Sequence, residues 1–217
     1  MVINKIMALI QKQSMRAQCY EIIKEKILRQ DYDLGEYINI VALSTELSVS
    51  NTPIREALTQ LEADGLVTST LNAKVQVFSF TKTSFKDLAQ TIYILVKGAY
   101  ELCVKENRIP KLLSMMEDSL MSQERCVTDG DTYQFIRELV NFDELIFEAL
   151  ESPQLLSVFK KVSNILFLMY RTDHQNRNWD RSHSIGEHRQ IFNAIASGSH
   201  AEVDRLLWDH YNRSFEE

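Results

Sequence analysis

Apolar positions recur at helical spacing over most of the chain. From Met15 to Gln30, Cys19, Ile22, Ile23 and Ile27 share a stripe, which predicts an amphipathic helix. Asp31 to Gly35 breaks the pattern, and Gly35 suits a turn. A short helix is predicted around Val41 to Leu47, then a turn from Ser48 to Asn51. Thr52 and Pro53 open a further helix to about Asp64, with Ile54, Leu58 and Leu61 facing inward. Proline fits a first helical position, because its missing N–H would be unpaired there anyway. Gly65 stops that helix. Leu66 to Thr70 and Lys74 to Phe80 are rich in β-branched residues and predict a hairpin across Leu71, Asn72 and Ala73.

Beyond Thr81 the pattern turns to long helices. They are predicted at Ser84 to Glu106, Pro110 to Cys126, Thr132 to Leu150 and Gln154 to Arg171. A polar loop, Thr172 to Arg181, precedes two more at Ile185 to Ala196 and Ala201 to Phe215. The reading is mainly α: a winged helix-turn-helix over residues 1–80, then an all-α bundle of about six helices over residues 81–217. Only 6 glycines and 3 prolines in 217 residues agree with so much helix.

Composition narrows the function. Hydrophobic residues at 45% and charged residues at 25% are ordinary for a soluble globular protein. No run of 18 or more apolar residues predicts a membrane span, and the first residues lack the form of a signal peptide. Cys19, Cys103 and Cys126 are too few and too scattered for a disulfide framework or a zinc finger, so a reducing cytoplasm fits. The net charge of −6 argues against bulk electrostatic coating of nucleic acid. It leaves room for a reader with a few well-placed basic groups.

The segment LSTELSVSNTPIREALTQLEADGL, Leu43 to Leu66, closely resembles the GntR family signature, LA..LGVSRTPVREAL.RLE..GL. The resemblance implies a sequence-specific DNA-binding transcription regulator, with Ser44 to Leu66 as its reading motif. Recognition helices present their N-terminal residues to base edges in the major groove. Here those are Ser50, Asn51, Thr52 and Arg55. Arg55 has the fork geometry for guanine O6 and N7, and Asn51 for adenine N6 and N7. Lys74, in the hairpin, is placed for the DNA backbone or minor groove. The plainer alternatives are an Arg55 paired with Glu56 or Glu62 and an Asn51 that is only a turn residue. The chain departs from the family in carrying Asn51 where arginine is usual. Residues 1–77 carry eight Lys and Arg against nine Asp and Glu, net −1, so few phosphate contacts are expected.

The C-terminal part resembles the FadR subfamily effector domain, called FCD, in two stretches. EHRQIFNAIASGS, Glu187 to Ser199, is similar to EHR.I..AI..GD, with Ser199 in place of the aspartate. NFDELIFEAL, Asn141 to Leu150, is similar to D..FH..L. Family members often bind a divalent ion, such as zinc, through one Asp and three His. Asp143, His188 and His210 align with three of these, and the fourth position holds Phe147. Helical phase turns all three toward the bundle interior, where an unpaired polar group is costly. A shared metal or a hydrogen-bonded cluster would each satisfy them. The first effector-domain helix has Ile92, Leu95 and Val96 where the family often has R..LE. Arg171 is a candidate for an effector carboxylate, or else a charge favoured by a helix C-terminus. The resemblance further implies a homodimer on a duplex DNA operator and a small organic acid effector. A metal-dependent hydrolase and a protein-binding helical scaffold are the rivals. No HExxH-type general base supports the hydrolase, so no enzymatic activity is expected.

Overall fold

The computed structural model describes residues 14–70, 74–176 and 181–212, with side chains left out at 173–176. The chain divides into two compact units, with the boundary between Ser79 and Phe80.

In the first unit, α1 is Met15–Arg29, α2 Ile40–Leu47 and α3 Asn51–Ala63. Ser14 caps α1 by accepting the Ala17 amide at 3.2 Å. Cys19, Tyr20, Ile23, Ile27 and Leu28 are its buried residues. Ile22, expected on that face, is exposed. At 100° per residue it falls outside the arc that Cys19, Ile23 and Ile27 define, and Tyr20 takes the place inside. The Tyr20 hydroxyl donates to Asp64 at 2.7 Å, tying α1 to the end of α3.

Asn39 caps α2 by accepting the Val41 and Ala42 amides at 3.0 Å each. Ser48, in the left-handed region at φ 53°, closes it. The Ser44 hydroxyl donates to the Val49 carbonyl at 2.6 Å and fixes the turn between α2 and α3. Helix α3 starts at Asn51, one residue before the predicted Thr52, so Pro53 is third in the helix. It still sits in the first turn, where a missing N–H costs nothing. Ile54, Ala57, Leu58 and Leu61 form its buried stripe.

The wing is shorter than predicted. Strand β1, Val67–Ser69, pairs antiparallel with β2, Val75–Val77, in register Val67 to Val77. The turn at 71–73 lies outside the described residues. The segment before α2 joins the wing, which the hydrophobic pattern does not reveal. Ile38 donates to the Val75 carbonyl at 2.9 Å, Val77 to the Glu36 carbonyl at 2.8 Å, and Gly35 to the Val77 carbonyl at 3.1 Å. Gly35 has φ 82°, a conformation that favours glycine.

The second unit contains α4 Lys82–Lys105, α5 Ile109–Asp129, α6 Thr132–Ala149, α7 Pro153–Asn176, α8 Arg181–Ala196 and α9 His200–Asn212. Thr81 and Ser84 form a reciprocal capping box that sets the start of α4. Helix α6 packs against α4, α5 and α7, and α9 packs against α4 and α8. Phe135, Phe142, Ile146, Phe147, Phe159 and Phe167 fill the centre and are buried. Each such side chain contributes about 1.5–3 kcal/mol of apolar burial.

The predicted loop from Thr172 to Arg181 is a correction: α7 continues to Asn176 and α8 already begins at Arg181. Helix propagation adds a backbone hydrogen bond per residue, so polar residues extend a helix that is already nucleated. Arg181 anchors the start of α8. It donates to Thr132 at 2.6 Å and to the Gly130 carbonyl at 3.3 Å, and its guanidinium lies 5.4 Å from the Phe135 ring centre. The last helix ends at Asn212, and 213–217 lie outside the described residues. No described helix is long and apolar enough to cross a membrane. Cys19, Cys103 and Cys126 are unpaired and buried, and burial pushes the Cys103 thiol up to about 11.

Candidate functional site

Two places carry chemistry, one in each unit. The first is the start of α3. Ser50, Asn51, Thr52 and Arg55 are all exposed there, whereas Ile54, Ala57, Leu58 and Leu61 are buried. Ser50 is the residue that caps α3, yet its hydroxyl makes no capping bond. The first turn holds no acidic residue, so the positive end of the helix dipole is not neutralised locally. Such an end suits a phosphate. Asn51 is the first helical residue, not part of the preceding turn. Among the described residues, no ion pair forms between Arg55 and Glu56 or Glu62. Glu62 instead accepts the Ser69 amide at 2.8 Å, bracing α3 against the wing. Lys74 is exposed, with its ammonium 5.5 Å from the Tyr37 ring centre.

The second place is the interior of the helical unit. Asp143 comes from α6, His188 from α8 and His210 from α9. One potential ligand atom from each lies within 4.8 Å of the other two. The sequence pattern foresaw these three residues but not the side chains that hold them. Gln123, on α5, faces His188 Nδ1 with its carboxamide oxygen at 3.0 Å. Glu187 accepts from His210 Nδ1 at 3.0 Å. Both contacts favour a proton on Nδ1 and leave Nε2 as the lone-pair atom. Tyr211 donates to Asp143 Oδ1 at 2.5 Å. The Tyr170 hydroxyl lies 2.9 Å from His210 Nε2 and 3.4 Å from Asp143 Oδ2.

Burial governs the charges. It pushes the Asp143 carboxyl up to about 6, against the opposing pull of His210 and of the Tyr211 and Tyr170 hydrogen bonds. Burial also holds His188 well below the usual histidine value, with His210 adding to the effect. His188 is therefore a neutral imidazole, stacked on Phe142 with ring centres 4.1 Å apart. Its Nε2 is buried without a hydrogen-bond partner, as is the Ser184 hydroxyl one turn earlier. An imidazole nitrogen that is desolvated and unpaired costs free energy unless something accepts its lone pair. Two imidazoles and a carboxylate are a borderline donor set suited to a divalent ion such as zinc. The residues present therefore fit a metal. Phe147 does not join them: it is buried in the core, its ring stacked on Phe159 at 4.5 Å.

Gln123 had a legible signal, being a polar residue on the buried stripe of Met116, Ser119 and Leu120. The two tyrosines had none, because tyrosine is at home on any half-apolar helix face. Arg171 is half-buried and sits five residues before the end of α7, so it is not at a helix C-terminus as expected. Its Nε is shielded from solvent.

Comparisons with known proteins agree with both units. Residues 15–73 match the family described as bacterial regulatory proteins, gntR family, and residues 88–213 match the FCD domain. The chain is 26% identical over 204 residues to the uncharacterized HTH-type transcriptional regulator YdhC of Bacillus subtilis (strain 168), covering 92% of this chain and 88% of that one. It is 24% identical over 185 residues to the Nta operon transcriptional regulator of Aminobacter aminovorans, covering 84% of each. Among solved structures, McbR/YncC of E. coli superposes with a TM-score of 0.73 at 19% identity, over 93% of this chain and 95% of that one. A GntR transcriptional regulator from Rhodococcus sp. RHA1 gives 0.74 at 17% identity, over 94% and 96%. At such identities these two structures establish the fold alone.

Proposed function

The chain belongs to the GntR family of bacterial regulatory proteins, with an FCD domain, and is a DNA-binding transcription regulator with a C-terminal effector-binding domain; from that premise we propose how it reads DNA and what it senses. Its residues 1–80 read the operator and residues 81–217 bind the effector. Ser50, Asn51 and Thr52 meet the DNA at the start of α3, and Arg55 makes the principal base contact. Lys74 touches the sugar–phosphate backbone. The observation that carries this is the exposed first turn of α3, which has no acidic residue, with Arg55 held clear of ion pairs to Glu56 and Glu62. The working unit is a cytoplasmic homodimer on a two-half-site operator, since paired helix-turn-helix motifs read paired half-sites.

Asp143, His188 and His210 hold a divalent ion such as zinc, supported by the orphaned His188 Nε2. When bound, the ion would tie α6, α8 and α9 together, and the effector is a small organic acid. Gln123 and Glu187 orient the two imidazoles, and Arg171 is the candidate partner for the effector carboxylate. The effector then regulates by binding one of two conformers more tightly than the other.

A mobility shift on the DNA upstream of its own gene, at low and high salt, tests the reading. The wild-type chain should shift this DNA specifically. Arg55→Ala should weaken it about 5- to 150-fold, the equivalent of about 1–3 kcal/mol for one bidentate base contact. Wild-type protein that binds no DNA at low salt, or an Arg55→Ala variant that binds as well as wild type, would overturn the assignment.

A further inference from the structure

Among the described residues, the Tyr170 hydroxyl reaches two of the three candidate ligands. It comes from α7, a helix that supplies none of Asp143, His188 or His210. Its oxygen lies 2.9 Å from His210 Nε2 and 3.4 Å from Asp143 Oδ2. Ligands at about 2.0 Å from a tetrahedral ion stand about 3.3 Å from one another. The phenol oxygen is thus already at ligand-to-ligand spacing from two of the three candidates. Phe147, one helical turn after Asp143, is committed to its stack with Phe159 and offers no donor atom. Tyr211 also reaches Asp143, but through Oδ1, the other carboxylate oxygen. Tyr211 meets His210 only through its ring, whereas the Tyr170 hydroxyl itself reaches both Asp143 and His210.

Resting on the metal reading above, we propose that Tyr170 is the fourth protein ligand of this site, replacing the side chain that Phe147 cannot supply. The metal binds the phenol oxygen as a phenolate, and the phenol proton leaves to solvent as the ion enters. No electron is transferred. The site then has two imidazole nitrogens, one carboxylate oxygen and one phenolate oxygen. Two of its four donors are anionic oxygens, which moves its preference toward harder ions than a three-histidine set would have. A phenolate also closes the position that water would otherwise take, so the ion would be held structurally.

The experiment uses the full chain, stripped of metal and titrated with Zn2+ and, separately, with Cu2+. Zn2+ should produce the ultraviolet difference spectrum of one ionised tyrosine per chain in the wild type. Cu2+ should produce a phenolate-to-copper charge-transfer band. Tyr170→Phe should lose both signals and bind Zn2+ about 10- to 100-fold more weakly. Tyr100→Phe, which removes another buried hydroxyl of the same unit, should keep both. The wild-type titration needs no folded variant, so misfolding of Tyr170→Phe leaves the test intact. Zn2+ binding by wild type without tyrosine ionisation overturns Tyr170 as ligand but leaves the Asp143–His188–His210 site standing. Tight Zn2+ binding by folded Tyr170→Phe does the same. Failure of the wild type to bind either ion overturns both.

Discussion

Replacing Tyr211 with phenylalanine deletes one oxygen from the buried cluster, and its cost should depend on pH. The Tyr211 hydroxyl donates to Asp143 Oδ1 at 2.5 Å, with both residues buried. Asp143 titrates at about 6 in the fold against an ordinary 3.8. At pH 8 the hydrogen bond therefore ends on a charged carboxylate, and losing it should cost about 2–3 kcal/mol. At pH 5 the carboxyl is protonated in the fold, and the same deletion should cost about 1 kcal/mol. The sign follows from linkage. A carboxyl whose folded pKa is raised weakens the fold as pH climbs through that pKa, and removing a stabilising donor raises it further. The extra loss is present above the raised value and disappears below it. His188 works the other way, being kept neutral in the fold while the unfolded chain protonates it. Its contribution cancels when variant and wild type are compared at each pH. Urea unfolding of metal-free protein, followed by tryptophan fluorescence, is the assay. Trp179 and Trp208 both fall in the second unit, so the signal reports that unit. An equal loss at pH 5 and pH 8 would refute the assignment of a charged Asp143 held by Tyr211.

Metal affinity should follow the same carboxyl: competition by protons for Asp143 alone should weaken Zn2+ binding about fivefold between pH 6 and pH 5. Competition with a chromogenic chelator at both pH values measures this, and constant affinity would remove Asp143 from the ligand set. In a binding-site selection, Asn51→Arg should move one operator position away from adenine toward guanine. Unchanged preference at every position would show that Asn51 does not face a base.

The sequence by itself determined the identity and order of the helices, because the 3.6-residue apolar period is local and survives without tertiary context. Ile54, Leu58 and Leu61 marked the inner face of α3, and Arg55 was thereby turned outward. Helical phase likewise turned Asp143 and His188 into the core. Boundaries were less legible. Polar residues past Arg171 read as a loop, yet a helix already formed extends through them to Asn176. The bridge from Tyr37 to Gln76 was also invisible, since a one-residue pairing across the unit leaves no alternation to detect.

Only the tertiary structure decided what surrounds the three ligand candidates. Gln123, Tyr170, Glu187 and Tyr211 come from four different helices, α5, α7, α8 and α9. Their convergence on Asp143, His188 and His210 depends on how those helices cross, which no local pattern encodes. The resemblance to the FCD pattern placed Phe147 where that family often has a ligating histidine. Packing decided that a phenol oxygen from α7 stands 2.9 Å from His210.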